Sequence, residues 1–203
     1  MNFYKFITLT IFIFTNMTFA SDHMQEYKIE VILYKNKEIN TKESFLNKID
    51  LPNENIIKLF DVENENDYSN FSNISEFFSS ILDENVFESL PEIWFREDDE
   101  LKTLGKLHNN ISKNPAFELL TAKSWIQTIP SYEASKFLNN KDLDKKYDIF
   151  LKLYKKRFMH MHAIAYIEND LSIYINEEKR IFNEEIYLLD HPYFGLIISI
   201  DRI

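Results

Sequence analysis

Residues 147–166 read YDIFLKLYKKRFMHMHAIAY. Tyr147, Ile149, Leu151 and Leu153 alternate with Asp148, Lys152 and Tyr154. In the run that follows, Phe158, His160, His162, Ile164 and Tyr166 form one face, and Met159, Met161, Ala163 and Ala165 form the other. A two-residue period predicts strands, because successive side chains of a strand point to opposite sides. Leu171, Ile173 and Ile175 extend the pattern, EIYLL at 185–189 adds a strand, and Phe194, Leu196, Ile198 and Ile200 close it. Upstream, Tyr27, Ile29, Val31 and Leu33 alternate with Lys28 and Glu30, and FELLTAKSWIQTI at 117–129 reads as a further strand.

Helical spacing is rarer. Leu101, Leu104, Leu107 and Ile111 predict a helix over about 98–112, ended by Asn114-Pro115, with Glu97, Asp98, Asp99 and Glu100 placed to meet the positive end of its dipole. TKESFLNKI at 41–49 fits a short helix or a loop, and ISEFFSSIL at 74–82 fits a helical turn. Strand follows strand through short connections without crossover helices. The expected class is therefore α+β: a mainly antiparallel meander sheet with one or two helices packed on it, in one domain.

Composition narrows the chemistry. The chain has 203 residues, 45% of them apolar, enough for one core and against disorder of the whole chain. It contains no cysteine, which excludes disulfides, thiolate zinc sites and thiol catalysis. The two glycines, Gly105 and Gly195, are too few for a phosphate-cradling loop. The first twenty residues hold one charge, Lys5, then the apolar run Phe6–Phe14 and the small-residue end Thr18-Phe19-Ala20, the layout of a secretory signal peptide. Cleavage after Ala20 would leave an exported domain, 21–203, without a transmembrane anchor; an uncleaved anchor is the alternative.

The net charge is −10, and it is unevenly spread. Residues 61–100 carry thirteen acids and one base, Arg96, while the rest is almost neutral. We read this Asn-rich stretch as an acidic insertion, either a solvated loop or a docking arm for a basic partner, with Trp94 as a candidate anchor. No basic track runs along the sequence, so nucleic acid is not an expected partner.

Three strings carry a resemblance: Trp125 with Gln127, RFMHM at 157–161, and EIYLLDHPYFGLIISI at 185–200. Together with the leader and the YKIEVILYKN strand at 27–36, the chain resembles the CsiV family of gammaproteobacterial periplasmic proteins. These bind peptidoglycan and support a class A penicillin-binding protein through its outer-membrane lipoprotein activator. The likeness covers 27–36 and about 100–201, is most specific at LDHPYFG, and has no counterpart in the middle segment. Ile126 and Thr128 depart from the family's basic residue and proline, and Tyr187-Leu188 from its His-Tyr. It implies a non-catalytic peptidoglycan-binding protein with an activator lipoprotein as partner and no cofactor.

The candidate ligand-binding residues are Arg157, His160, Asp190, His191 and Trp125. Asp190-His191-Pro192 fits a structural hairpin corner in which Asp190 bonds an amide two residues on, with Gly195 for a bend; equally, Asp190 fixes the His191 tautomer and leaves a ring nitrogen for a ligand. Arg157 suits a stem-peptide carboxylate or a cross-strand pair with Glu185. Trp125 and Tyr132 can stack on sugars, or Trp125 can pack in the core. His160 and His162 share a face and would bind a metal only if a third ligand such as Asp190 or His191 converged; we expect none. GxSxG and HExxH are both missing, so the alternatives, a metal- or carboxylate-dependent envelope hydrolase or a periplasmic chaperone-like interaction protein, stand behind the binding reading. Stacking and hydrogen bonds, rather than bulk charge, would then give binding only mild salt dependence.

Overall fold

The computed structural model describes residues 25–39, 41–53, 56–58, 93, 95–142, 144 and 146–203. The leader, the turn expected at 74–82 and Trp94 lie outside them. The elements are β1 Glu26–Asn36, β2 Ile56–Lys58, β3 Phe95–Glu97, α1 Gly105–Lys113, β4 Phe117–Thr128, β5 Phe137–Asp142, β6 Tyr147–Lys155, β7 Met159–Ile167, β8 Tyr174–Arg180, β9 Glu185–His191 and β10 Phe194–Arg202.

Two five-stranded sheets form, in the orders β3-β4-β1-β10-β9 and β2-β5-β6-β7-β8. Every pairing is antiparallel except the short parallel contact of β2 with β5. The meander order holds for β5 to β8, and β9 and β10 pair as consecutive antiparallel strands. In the first sheet the last strand lies beside the first, Ile29 opposite Ile200 and Leu33 opposite Leu196, a long-range pairing that alternation cannot reveal. The sheets share one apolar interior: Ile29, Val31 and Leu33 of β1 and Leu196, Ile198 and Ile200 of β10 join Ile149, Leu151 and Leu153 of β6 and Met161, Ala163 and Ala165 of β7.

Both outer faces are partly covered. Leu104, Leu107 and Ile111 seat α1 on Ile32, Tyr34 and Ile197 of the first sheet. On the second sheet, Ile49 and Leu51 of the 41–53 segment pack on Phe150, Ile164 and Tyr166. That segment is neither helix nor strand. Beneath it, the Asp148 carboxylate accepts hydrogen bonds from Asn139 and from the Tyr166 hydroxyl, and burial pushes its pKa up.

Helix α1 begins seven residues later than the charge pattern predicts. Glu97 ends β3, paired opposite Trp125, and Asp98 meets Lys28 Nζ at 3.1 Å. The Glu100 amide and then Lys28 hold the Asp98 carboxyl below the usual range. No acid lies in the helix's first turn. The carboxylate at this end comes instead from the middle of β1: Glu30, wholly buried, accepts the amides of Lys102, Thr103 and Leu104 at 2.7–3.0 Å. Successive amides turned onto one anion form a concave seat for negative charge, and here they fasten the approach to α1 onto the sheet.

Gly195 does not make a bend. It lies inside β10 opposite Tyr34, and no glycine has a positive φ. An added Cβ would stand 2.3 Å from the Tyr34 hydroxyl oxygen and 2.4 Å from Cζ, so the glycine admits the ring. Phe117 packs on that ring edge-to-face at 5.0 Å.

Glu30→Ala leaves buried amides unpaired and should lower stability by about 3–5 kcal/mol in urea titration, with Glu30→Gln intermediate; a loss under about 1 kcal/mol would remove Glu30 from this role. Gly195→Ala should cost about 2 kcal/mol or more, but much less in a Tyr34→Ala background. A double-mutant cycle that proves additive would show that the ring is not the obstacle.

Candidate functional site

Trp125 is packed in the core rather than presented to a ligand: it is 3% exposed, and its indole N–H donates to Gln127 Oε1 at 2.7 Å. Two residues apart on β4, the pair shares one face, so the Trp-x-Gln spacing supplies a buried acceptor to a buried donor.

The Asp-His-Pro corner differs from its expected wiring. The residue two beyond Asp190 is Pro192, which has no amide hydrogen. The Tyr193 amide donates instead to His191 Nδ1, at 3.2 Å. Asp190 and His191 are neighbours on β9 and alternate in face. Asp190 is exposed and its charge reaches Tyr34, whereas His191 is buried among Phe45, Tyr193 and Phe194, the Phe45 ring lying 4.6 Å away. The tautomer is thus set by the Tyr193 amide, which leaves the proton of the neutral ring on Nε2. Burial pushes the His191 pKa down, opposed by Glu43 and Asp190.

A groove of about 390 Å³ opens at this corner, between the Ser44–Asn47 segment, β8 and the end of β9, with Phe45, Tyr174, Asn176, Asp190 and His191 on its walls. It lies where the edge strand of one sheet meets that of the other. Asn176 joins it to the second sheet's outer face, since its Oδ1 lies 2.8 Å from His162 Nε2.

That face holds the other candidates. His160 stacks on Tyr154 with planes 5° apart, and its Nδ1 lies 2.9 Å from the Phe158 carbonyl, which places a proton on Nδ1. Arg157 is exposed in the turn between β6 and β7, its guanidinium 5.3 Å from the Phe158 ring. Glu185 begins β9 in the other sheet and accepts the Tyr187 hydroxyl. Among the described residues no three His, Asp or Glu side chains converge as a metal site.

Sequence reading missed most of this face. Lys152 Nζ lies 4.8 Å from the Tyr132 ring centroid and Lys156 Nζ 3.9 Å from it. The Arg180 guanidinium lies 3.5 Å from the Phe158 ring and 4.5 Å from Phe182. Tyr132, Phe158 and Phe182 are all exposed. Glu178 shares the face; the Tyr154 hydroxyl donates to it, and this bond above all, then the nearby His162, Lys156 and His160, holds its carboxyl below the usual range. The available signal was parity: Lys152, Tyr154, His160 and Arg180 meet in register across β6, β7 and β8, once β8 is known to run alongside β7.

Because burial places the His191 pKa below its ordinary 6.5, the unfolded chain binds more protons in the interval between the two values. Stability present above pH about 6.5 is therefore lost as pH falls. His191→Asn, which keeps an acceptor near the Nδ1 position and does not titrate, should flatten that dependence in urea titrations across the interval; identical slopes in both proteins would contradict the assignment.

The sequence matches the family model described as peptidoglycan-binding protein, CsiV, over residues 5–164. No curated protein and no solved structure matches it. The matched range includes Trp125, Arg157 and His160, runs through the acidic segment, and stops before Asp190 and His191. Among the described residues no helix is long and apolar enough to cross a membrane. With most of its length matched, the chain belongs to the CsiV family of peptidoglycan-binding proteins.

Proposed function

We propose that this chain is an exported, non-catalytic protein of the periplasm that binds peptidoglycan and thereby supports wall assembly by a penicillin-binding protein and its lipoprotein activator. Family membership supports the ligand, and it implies a place in the cell envelope. The observation that carries the site is the second sheet's outer face, where Arg157 and His160 stand among exposed aromatic rings and cations. Asp190 and His191 border the groove at its margin.

Such a surface works by positioning. Peptidoglycan offers hydroxyls, amides and carboxylates, and charge-assisted bonds from guanidinium and ammonium groups are the strongest polar contacts available to hold it. His160, with its proton on Nδ1, offers Nε2 as an acceptor for a ligand hydroxyl or amide. Nothing in this arrangement requires bond cleavage. The activator and the synthase follow from the family resemblance alone.

Protein recovered from the periplasmic fraction should be retained by purified sacculi, release no soluble muropeptides, and co-purify with the activator lipoprotein. Release of fragments would make the chain a hydrolase. Retention without the lipoprotein would leave the wall ligand and remove the partner; absence from the periplasm would remove the export reading.

A further inference from the structure

We infer that the outer face of the second sheet recognises the free carboxylates of peptidoglycan stem peptides and not the sugar faces of the glycan. The inference rests on the peptidoglycan-binding reading above and names the part of the polymer that this surface takes. Its first support is a cluster of cations seated on rings. Among the described residues, the side chains of Lys152, Lys156, Arg157 and Arg180 have no carboxylate within ion-pair distance and donate no hydrogen bond; each lies against an aromatic ring. In a chain with 33 acids and 23 bases, four cations gathered on one face, none of them ion-paired, outnumber the Glu178 carboxylate beside them and mark a seat for an outside anion.

The second support is what the rings are doing. A sugar stacks on an open aromatic face. Here Tyr132 lies under Lys152 and Lys156, and Phe158 under Arg157 and Arg180. The ring quadrupole attracts and orients each cation, and the cation occupies the space a pyranose would need. Donors held this way lose little further freedom on binding a carboxylate, which favours affinity.

Spacing agrees. Lys152 is opposite His162, which is opposite Glu178, and Arg180 lies two residues further along β8. Ladder geometry then separates the Lys152 and Arg180 backbones by roughly 12 Å, a span that about four extended peptide residues cover. The two cation clusters can therefore take carboxylates from different positions of one stem peptide.

The test uses the full exported protein with two probes: intact sacculi, and sacculi stripped of stem peptides by an amidase. Binding should be at least about tenfold weaker to the stripped material. Lys152→Gln with Arg180→Gln should weaken binding to intact sacculi about tenfold, with a far-ultraviolet spectrum and melting temperature like the parent's, and binding by the parent should fall as salt rises. Equal binding to both preparations would overturn the inference while leaving peptidoglycan as the ligand. Binding to neither would overturn that broader reading as well. Discrimination that survives in a folded double variant would remove it from this face. Should that variant fail to fold, Arg157→Gln, at an exposed turn position, serves in its place.

Discussion

A carboxylate removed from water must be matched bond for bond, and Glu30 is such a group in the centre of β1. Three consecutive amides, of Lys102, Thr103 and Leu104, close on its two oxygens. β1 is also the strand that β4 and β10 flank. One side chain thus ties the chain's first described strand, the approach to its helix and the first sheet into a single unit. Two residues further along the same face, Ile32 and then Tyr34 meet the helix's apolar side. Tyr34 in turn dictates the glycine at 195, which is paired with Asp190 across the terminal hairpin. From Glu30 to the Asp-His-Pro corner, each step is a contact that the previous one puts in place.

The strands were legible because alternation is local. β1, β4, β6, β7, β9 and β10 stand where the two-residue period puts them, and that period follows from the pleat alone. What joins to what was not legible, since strand order depends on pairings far apart in sequence. β5 escaped because FLNNKD is mostly polar, with Asn139 turned to a buried carboxylate. β8 starts at Tyr174 rather than Leu171 because the tight turn at Glu168 and Asn169 is followed by a second one, in which the Ile173 amide donates to the Asp170 carbonyl and the Ser172 amide to the Asp170 carboxylate. The helix start failed for a related reason. Acids near a helix N-terminus are a sound local signal, but a distant carboxylate had already taken the neighbouring amides.

The site was legible in parts. Same-face spacing brought His160 and His162 together, and one ring nitrogen of each meets a neighbour, the Phe158 carbonyl and Asn176 Oδ1. Trp125 sits in the core because its neighbour two residues on supplies the acceptor its indole needs. His191 is buried by Phe45, from a stretch with no periodicity to announce it.

The cationic face shows why charge must be counted on surfaces and not along sequences. Over residues 101–203 positive and negative charges nearly cancel, and no run looks basic enough to attract a polyanion. Pairing β6, β7 and β8 puts Lys152 and Arg180 on one side of the sheet, and the turn after β6 adds Lys156 and Arg157 beside them. A field built in this way is local and short-ranged, falling off within about 8–10 Å at ordinary ionic strength. Mild salt dependence is what stacking and hydrogen bonds alone would give an acidic chain; cations on the binding face would make it steeper. An acidic protein can then approach an anionic polymer as long as it does so by this side, and the net negative charge disfavours contact through its others.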